Sequence, residues 1–381
     1  MAIEPQGTVA PGFEHVRDVF AANFAREDEY RELGAAFAVL HRGEVLIDLW
    51  GGHRDAEHNV PWTRETLVNV WSTTKGIAAI AVALLVERGQ LRYDAPVRDY
   101  WPEFGCNGKE AITVSQVLSH QAGLPGFDAP ITLEEFFDWD LAAARLAAQT
   151  PMWAPGTKNS YHAMTYGFLA GELVRRASGQ RIGEFVRTAL AEPLHADLFI
   201  GLPEAEEHRL ALTVPNPREL ELPTTDIPPE AMVSITNPAM EPTLPHRRDW
   251  RAAEIPAGNG HCSAIGIARL YGMLGNGGEL DGNRYLSAAT IAALDTVQTD
   301  RVDIQIGIAP YWRNGLSGNP NGMYGPGAGA IGHSGWGGSF GCADAAQRLG
   351  MGYVCNQMGH EALGDPRAVA LANAVYHCLD Q

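Results

Sequence analysis

The chain has 381 residues, 45% of them hydrophobic, and a formal net charge of −17. This length exceeds the usual size of one hydrophobic core, so two domains, or one domain with a large insertion, are expected. The negative charge argues against nucleic acid as a partner, because phosphate binding needs a basic surface, and it also disfavours an anionic membrane surface.

Cysteine usage and the start of the chain predict a cytoplasmic protein. The five cysteines are odd in number and form no Cys-x-x-Cys pair, so reduced thiols are the simplest interpretation. Residues 1–13 contain no secretory signal pattern, and no apolar run reaches transmembrane length. No histidine or cysteine spacing suggests a metal site, and we expect neither a metal nor a cofactor.

The first 70 residues predict a helix, a β-hairpin and a loop. Residues 12–33 place five apolar side chains near one helical face: Phe13, Val16, Val19, Phe20 and Phe24. Ala35–Leu40 and Val45–Trp50 are typical of strands, and residues 41–44 between them indicate a hairpin. Residues 51–70 are polar and contain proline, which predicts a loop.

The next stretch places Ser72 and Lys75 three residues apart, directly before an apolar run over residues 77–86. Residues three apart share one face of a helix, so the hydroxyl and the amine would meet in its first turn. The helix is apolar on all sides, which predicts burial in the core, and Gly89 is a plausible stop.

This pairing suits nucleophilic catalysis. A serine hydroxyl needs an adjacent base, and burial lets lysine serve as one by lowering its pKa. The alternative, Ser72 as a simple helix cap and Lys75 as a surface lysine, is the commoner explanation of an isolated Ser-x-x-Lys. Lysine is scarce, however: among 28 lysines and arginines only Lys75, Lys109 and Lys158 are lysines.

The middle of the chain is predicted to be mostly helical, with helices over residues 114–120, 133–149 and 164–178. Residues 203–256 differ, because they contain ten of the 24 prolines and little periodicity. A long irregular segment in a compact enzyme is often a lid or binding loop. We expect an ordered lid here, with a surface excursion of no function as the alternative.

The end of the chain returns to strands. A helix over residues 264–274 is followed by strands over residues 340–345 and 349–356, and a helix over residues 368–379 closes the chain. We therefore predict a mixed α/β fold of the α+β type: an antiparallel sheet flanked by terminal helices, with an inserted all-helical domain. The predicted division is residues 1–75 with 290–381 for the sheet domain and 76–289 for the helical domain, including the lid.

Three further motifs bear on Ser72: Leu118–Pro125, Trp153–Tyr161 and Gly332–Ser339. Together with Trp71–Lys75, their order and spacing resemble the serine β-lactamase and penicillin-binding-protein superfamily. The nearest branch is the class C β-lactamase-like carboxylesterases, called family VIII esterases. The resemblance covers nearly the whole chain, and its specificity comes from four motifs in the right order.

The resemblance implies an active site at the junction of the sheet and the helical domain. Ser72 matches the family nucleophile, and Lys75 and Tyr161 match its proton-transfer residues, with the identity of the base left open. The third motif, Lys/His-Thr/Ser-Gly, is matched by three consecutive residues: His333, Ser334 and Gly335.

The oxyanion hole implied by this match consists of the backbone N–H groups of Ser72 and Trp336. An alternative alignment of the third motif would replace the Trp336 amide by that of Ser339. We favour Trp336, because His333, Ser334 and Gly335 fit the motif better.

Two departures from the family pattern bear on the substrate. The Tyr-x-Asn motif has Ala163 in place of asparagine, which disfavours β-lactam recognition. The esterase signal Gly-x-Ser-x-Gly fails around Ser334, because Trp336 stands at its last position. Ser334 is therefore a poor candidate for the nucleophile.

These observations predict a cytoplasmic serine carboxylesterase that hydrolyses short-chain acyl esters through an acyl-Ser72 intermediate. The alternatives are a β-lactamase or D-Ala-D-Ala peptidase, an acyltransferase that uses the same acyl-enzyme, and a binding protein that kept the fold without the chemistry. The expected partner is a small-molecule ester, with no nucleic acid and no membrane. A homo-oligomer is left open.

Overall fold

A computed structural model describes residues 3–217 and 228–381. Its strands, in chain order, are β1 (Gln6–Val9), β2 (Gly34–His41), β3 (Glu44–Gly52), β4 (Leu67–Asn69), β5 (Leu198–Ile200), β6 (Leu210–Ala211), β7 (Gly260–Cys262), β8 (Glu279–Leu280), β9 (Asn283–Arg284), β10 (Ile331–Ser334), β11 (Phe340–Asp344) and β12 (Leu349–Cys355).

The helices are, in chain order, α1 (Glu14–Phe24), α2 (Thr73–Glu87), α3 (Val114–Leu118), α4 (Leu133–Phe137), α5 (Trp139–Ala148), α6 (Thr165–Ser178), α7 (Ile182–Val186), α8 (Pro229–Thr236), α9 (Arg248–Ala252), α10 (Ala264–Gly275), α11 (Ala288–Leu294) and α12 (Pro366–Leu379). Single 3₁₀ or π-helical turns join several of them.

The main sheet has six antiparallel strands in the order β1-β3-β2-β12-β11-β10. The predicted hairpin is confirmed: Gly34 pairs with Gly52 and His41 with Glu44, with one irregularity in register after Val39. The first and last strands of the chain thus meet in one sheet, as expected. The edge strand β10 carries the third motif.

Alternation along β2 separates two cores, because successive side chains of a strand point to opposite faces. Ala35, Phe37 and Val39 join the core beneath the terminal helices α1 and α12. Ala36, Ala38 and Leu40 join the larger core with α10 and the helical region. The α+β architecture, with an antiparallel sheet flanked by terminal helices, is therefore confirmed.

The predictions for three segments in particular differ from the structure. The first helix ends at Phe24 rather than residue 33, because charged residues 26–29 follow its last buried apolar position. The predicted helix over residues 133–149 is two helices, broken where the Asp138 side chain accepts a hydrogen bond from the Leu141 amide and caps α5. The predicted loop over residues 51–70 contains β4, which pairs with β6 and β7.

In the described residues, the predicted lid over 203–256 contains β6, α8 and α9. Residues 218–227 of this prediction lie outside the described residues. The predicted domain division stays a prediction, and α10 packs directly on β2 and β12. Within the described ranges, no helix combines the length and apolarity needed to cross a membrane.

Candidate active site

Ser72 stands at the first turn of α2, as predicted. The preceding Trp71 has a φ of +44°, an uncommon conformation for a residue with a side chain. It turns the chain sharply from β4 into the helix, and Ser72 follows with a φ of −68°. Residues 73–85 of α2 are all buried, whereas Ser72 itself is half-buried. The turn therefore leaves the hydroxyl group at the edge of the core.

Lys75 is fully buried and lies beside this hydroxyl. Its Nζ is 3.0 Å from Ser72 Oγ, 2.7 Å from the Ala163 carbonyl oxygen and 2.8 Å from the Ala257 carbonyl oxygen. Burial alone lowers the pKa of Lys75 well below its usual value. No carboxylate of the described residues forms an ion pair with it, so the neutral amine is favoured.

Two backbone carbonyls give Lys75 a defined orientation. A neutral amine has two N–H donors and one lone pair. If the Ala163 and Ala257 carbonyls accept the two N–H groups, the lone pair faces Ser72 Oγ. This arrangement lets Lys75 accept the Ser72 proton, which an ammonium ion cannot do.

Tyr161 is half-buried and joins the same site. Its ring centroid is 4.7 Å from Lys75 Nζ. Burial raises the pKa of Tyr161, and interaction with the Ser72 side chain offsets only part of the increase. A tyrosinate at neutral pH would need a lowered pKa, which a neighbouring ammonium group could provide. Since the neutral amine of Lys75 is favoured, it does not lower the pKa of Tyr161. Tyr161 is therefore a protonated phenol that can donate a hydrogen bond.

A buried carboxylate that the sequence analysis missed holds Tyr161 in place. Asp303 accepts hydrogen bonds from the Tyr161 amide at 3.0 Å and from the Trp312 indole at 3.2 Å. The Trp312 ring stacks on Tyr161, with centroids 5.8 Å apart and an interplanar angle of 10°. No local pattern in residues 299–312 indicated this function, because Tyr161 lies 142 positions away from Asp303.

His333 and Ser334 occupy opposite sides of β10. His333 packs against α2 at Gly76, and its ring centroid is 6.2 Å from that of Tyr161. The side chain of Ser334 instead interacts with the hydroxyl of Tyr324, which belongs to the core of the terminal helices. The structure thus brings His333 to the Ser72 site and directs the Ser334 side chain toward a different core.

The glycine-rich turn after β10 lies against the Ser72 turn. A Cβ atom on Gly335 would stand 2.1 Å from the Val70 carbonyl oxygen, so only glycine fits there. The Trp336 and Trp71 ring centroids are 4.9 Å apart. Within the described part of the chain, the backbone N–H groups of Ser72 and Trp336 have no hydrogen-bond acceptor. Both amides are therefore available to a ligand.

Three histidines near the site are neutral. Burial lowers the pKa of His333 to about 3. Burial also lowers the pKa of His162 to about 4, and the pKa of His120 is lowered in the same way. The His120 Nδ1 atom accepts a hydrogen bond from the His162 amide at 3.0 Å, and the His120 ring stands beside that of Tyr161. His120 therefore braces its loop.

The pH dependence follows from these shifts. The amine must be neutral to accept a proton, so kcat/KM should fall as the pH falls through the pKa of Lys75. His162 and His333 titrate near pH 4 and pH 3 and remain neutral above those values. We expect His333→Asn to leave the midpoint of the acid limb unchanged. A pH–rate profile that moves with this substitution would assign the limb to His333.

The sheet, the helical region and the site between them define the class: a serine hydrolase with the β-lactamase fold. The chain belongs to the family described as Beta-lactamase, whose model matches residues 20–374. The curated relatives include "Esterase/beta-lactamase LipL" of Mycobacterium tuberculosis, 33% identical over 92% of this chain and 83% of that protein.

Solved structures agree along nearly the whole chain. One is described as a family VIII carboxylesterase, with 44% identity, a TM-score of 0.93, and coverage of 98% of this chain and 100% of that one. Another is a penicillin-binding protein homologue from Caulobacter crescentus, with 41% identity, a TM-score of 0.92, and coverage of 98% and 99%. The resemblance inferred from the motifs is thereby confirmed.

Proposed function

We propose that this serine hydrolase is a carboxylesterase that cleaves short-chain acyl esters through an acyl-Ser72 intermediate. The observation that carries the proposal is the 3.0 Å contact between Ser72 Oγ and a fully buried Lys75 whose other two contacts are backbone carbonyls. Similarity to the family VIII carboxylesterase structure and to LipL supports the ester substrate.

In the acylation step, Lys75 accepts the proton of Ser72 while Oγ attacks the ester carbonyl carbon. The backbone N–H groups of Ser72 and Trp336 stabilise the negative charge that develops on the carbonyl oxygen. Tyr161 donates its proton to the departing alkoxide and recovers one from the Lys75 ammonium ion. The alcohol leaves, and the acyl group remains on Ser72.

Deacylation reverses these roles with water as the nucleophile. Lys75, neutral again, accepts a proton from water as its oxygen attacks the acyl-Ser72 carbonyl. The Ser72 oxygen leaves and is reprotonated through Tyr161 and Lys75. The acid is released, and the site returns to its starting protonation state.

A panel of aryl esters of graded acyl length, measured beside a chromogenic cephalosporin, tests this proposal. Hydrolysis of short acyl esters together with stoichiometric labelling of Ser72 by a fluorophosphonate would support it. A folded protein that takes no label would instead indicate a binding protein without the chemistry. The cytoplasmic location stays a prediction, and the oligomeric state stays open.

We expect kcat/KM for an aryl butyrate to exceed that for a cephalosporin by at least about 10²-fold. Asparagine at position 163 could hydrogen-bond the acylamino side chain of a β-lactam, whereas the methyl group of Ala163 cannot. The unsatisfied substrate amide would cost about 1–3 kcal/mol, which is roughly 5- to 150-fold in rate. A retained ring amine would also obstruct the water needed for deacylation.

Ala163→Asn should narrow this difference, because Ala163 is half-buried and its backbone carbonyl already binds Lys75. Ala177→Asn, at a half-buried alanine near the end of α6, is the matched control and should leave the ratio unchanged. Wild-type protein that hydrolyses cephalosporins as fast as short esters would contradict both the esterase function and the role of Ala163.

We also propose that residues 203–256 limit acyl length. In the described part of this segment, Ser234 Oγ on α8 donates a 2.6 Å hydrogen bond to Gln305 Oε1. The Gln305 amide in turn donates to Asp303, the carboxylate that holds Tyr161. Trp250 on α9 packs against Trp71, with ring centroids 5.5 Å apart. The segment thus touches both the tyrosine side and the serine side of the site.

Replacing α8 by a short glycine-serine linker should raise relative activity on longer acyl chains, by roughly 1–3 kcal/mol for each relieved steric clash. The measurement is the chain-length profile of kcat/KM for aryl esters. A variant trimmed at the β8–β9 hairpin is the control. An unchanged profile in a folded α8 variant would argue against a lid.

A further inference from the structure

A fully buried arginine lies behind the proposed oxyanion hole. All five N–H donors of Arg367 have acceptors. Its Nε and one Nη2 hydrogen bind the Asp365 carboxylate at 3.0 and 2.7 Å, and Nη1 binds Glu32 Oε2 at 3.2 Å and the Gln357 carbonyl at 2.9 Å. The remaining Nη2 hydrogen is donated to the Gly337 carbonyl at 3.0 Å.

Gly337 belongs to the glycine-rich turn that follows β10. In this turn the Gly338 amide donates a 3.0 Å hydrogen bond to the Gly335 carbonyl. Gly337 has a φ of +94°, and Gly338 has a φ of +119°. A Cβ atom on Gly338 would stand 2.6 Å from the Asp365 carboxylate, so the turn and the buried ions fit closely together.

Two peptide groups connect the guanidinium to the Trp336 amide. The peptide between Gly337 and Gly338 accepts from Arg367 at its carbonyl and donates to Gly335 at its N–H. The peptide between Gly335 and Trp336 accepts that bond at its carbonyl and carries the Trp336 N–H at its other end. Hydrogen bonds in such a chain polarise one another, especially in a low-dielectric interior.

We propose that Arg367 is a positioning residue for ester hydrolysis: through this chain of two peptide groups, its buried charge orients and polarises the Trp336 N–H that receives the oxyanion. The inference rests on the proposed function. It also favours the Trp336 amide over the Ser339 amide as the oxyanion-hole donor, because the two hydrogen-bonded peptide groups lead to the Trp336 N–H. Glu32 and Asp365 hold the guanidinium in place from the N-terminal segment and from the start of α12.

The test compares Arg367→Met and Arg367→Lys with wild type on an aryl butyrate, with kcat expressed per site titrated by a fluorophosphonate. We expect Arg367→Met to lower kcat about 10- to 100-fold, which is no more than the fall in kcat caused by removing an oxyanion-hole donor. The KM should change by less than about threefold. Arg367→Lys should recover part of the loss, because it keeps the charge but lacks the planar donor geometry.

Arg269 supplies the matched control. It is a half-buried arginine on α10 that donates to the Leu194 carbonyl and to the Asp281 carboxylate, without contact to the glycine-rich turn. Arg269→Met and Arg269→Lys should lower the melting temperature without changing kcat per titrated site. If Arg367→Met does not fold, a kcat loss of at least about threefold in Arg367→Lys would support the inference.

Failure of the proposed nucleophile and failure of the proposed role of Arg367 would give different results. Wild-type protein that takes no label on Ser72 would refute the proposed nucleophile. Labelled Arg367 variants whose kcat equals that of wild type, or whose loss lies in KM alone, would refute only the role of Arg367 and leave the esterase proposal intact.

Discussion

Ser72→Ala is expected to lower kcat for an aryl butyrate by at least about 10³-fold. The substitution removes the only atom proposed to form the acyl-enzyme and leaves the helix intact, because the Ser72 side chain does not cap α2. A fluorophosphonate should label the wild-type protein once, at Ser72, and should not label the variant. Peptide mapping of the labelled protein checks the position directly.

Ser334→Ala is the matched control, because the sequence offers Ser334 as a second serine in a catalytic motif. Its side chain interacts with Tyr324 on the side of β10 opposite to His333, so its loss should reduce activity far less. The melting temperatures of both variants show that each is folded. A label found on Ser334 would refute the assignment of the nucleophile.

Lys75→Ala, Lys75→Arg and Tyr161→Phe are each expected to be severely impaired, with losses of at least about 10²-fold in kcat. Arginine keeps the charge of a lysine but cannot accept a proton near neutral pH. Phenylalanine keeps the ring that stacks on Trp312 but loses the hydroxyl that protonates the leaving alkoxide. The two residues act on the same proton, so their effects are coupled.

The double variant Lys75→Ala/Tyr161→Phe should therefore be little worse than either single variant, because residues that act as a unit give non-additive losses. Single-turnover rates on an aryl ester measure this coupling. Losses that add would show that Lys75 and Tyr161 act independently.

Lys109 is the matched control for Lys75. It is also buried, and its Nζ also donates to two backbone carbonyls, those of Cys106 and Gln149. Among the described residues, no serine hydroxyl joins these contacts. Lys109→Met should lower the melting temperature while kcat per folded molecule stays near that of wild type. A comparable loss of kcat would mean that the Lys75 effect reflects general damage from removing a buried lysine.

Local patterns predicted much of the fold. The hairpin of β2 and β3, the buried helix after Ser72 and the closing strands depend on periodicity and turn residues that lie within a few positions of one another. Errors arose where a side-chain cap or a long-range strand pairing overrode the local pattern. Asp138 ends one helix by capping the next, and the short β4 pairs with strands that lie far away in the chain.

The sequence by itself determined which residues carry the chemistry: the spacing of Ser72 and Lys75, followed by Tyr161 and the glycine-rich motif, indicated a serine hydrolase of this superfamily. Only the tertiary structure decided their protonation states and supports. The acceptors for Lys75 include a carbonyl 182 positions away, and Tyr161 depends on Asp303, 142 positions away. Backbone carbonyls carry no side-chain signature, and the pKa of a group depends on burial by the whole fold. For these reasons, local spacing predicted a pair of proton-transfer residues, whereas long-range packing lowers the pKa of Lys75 and raises that of Tyr161.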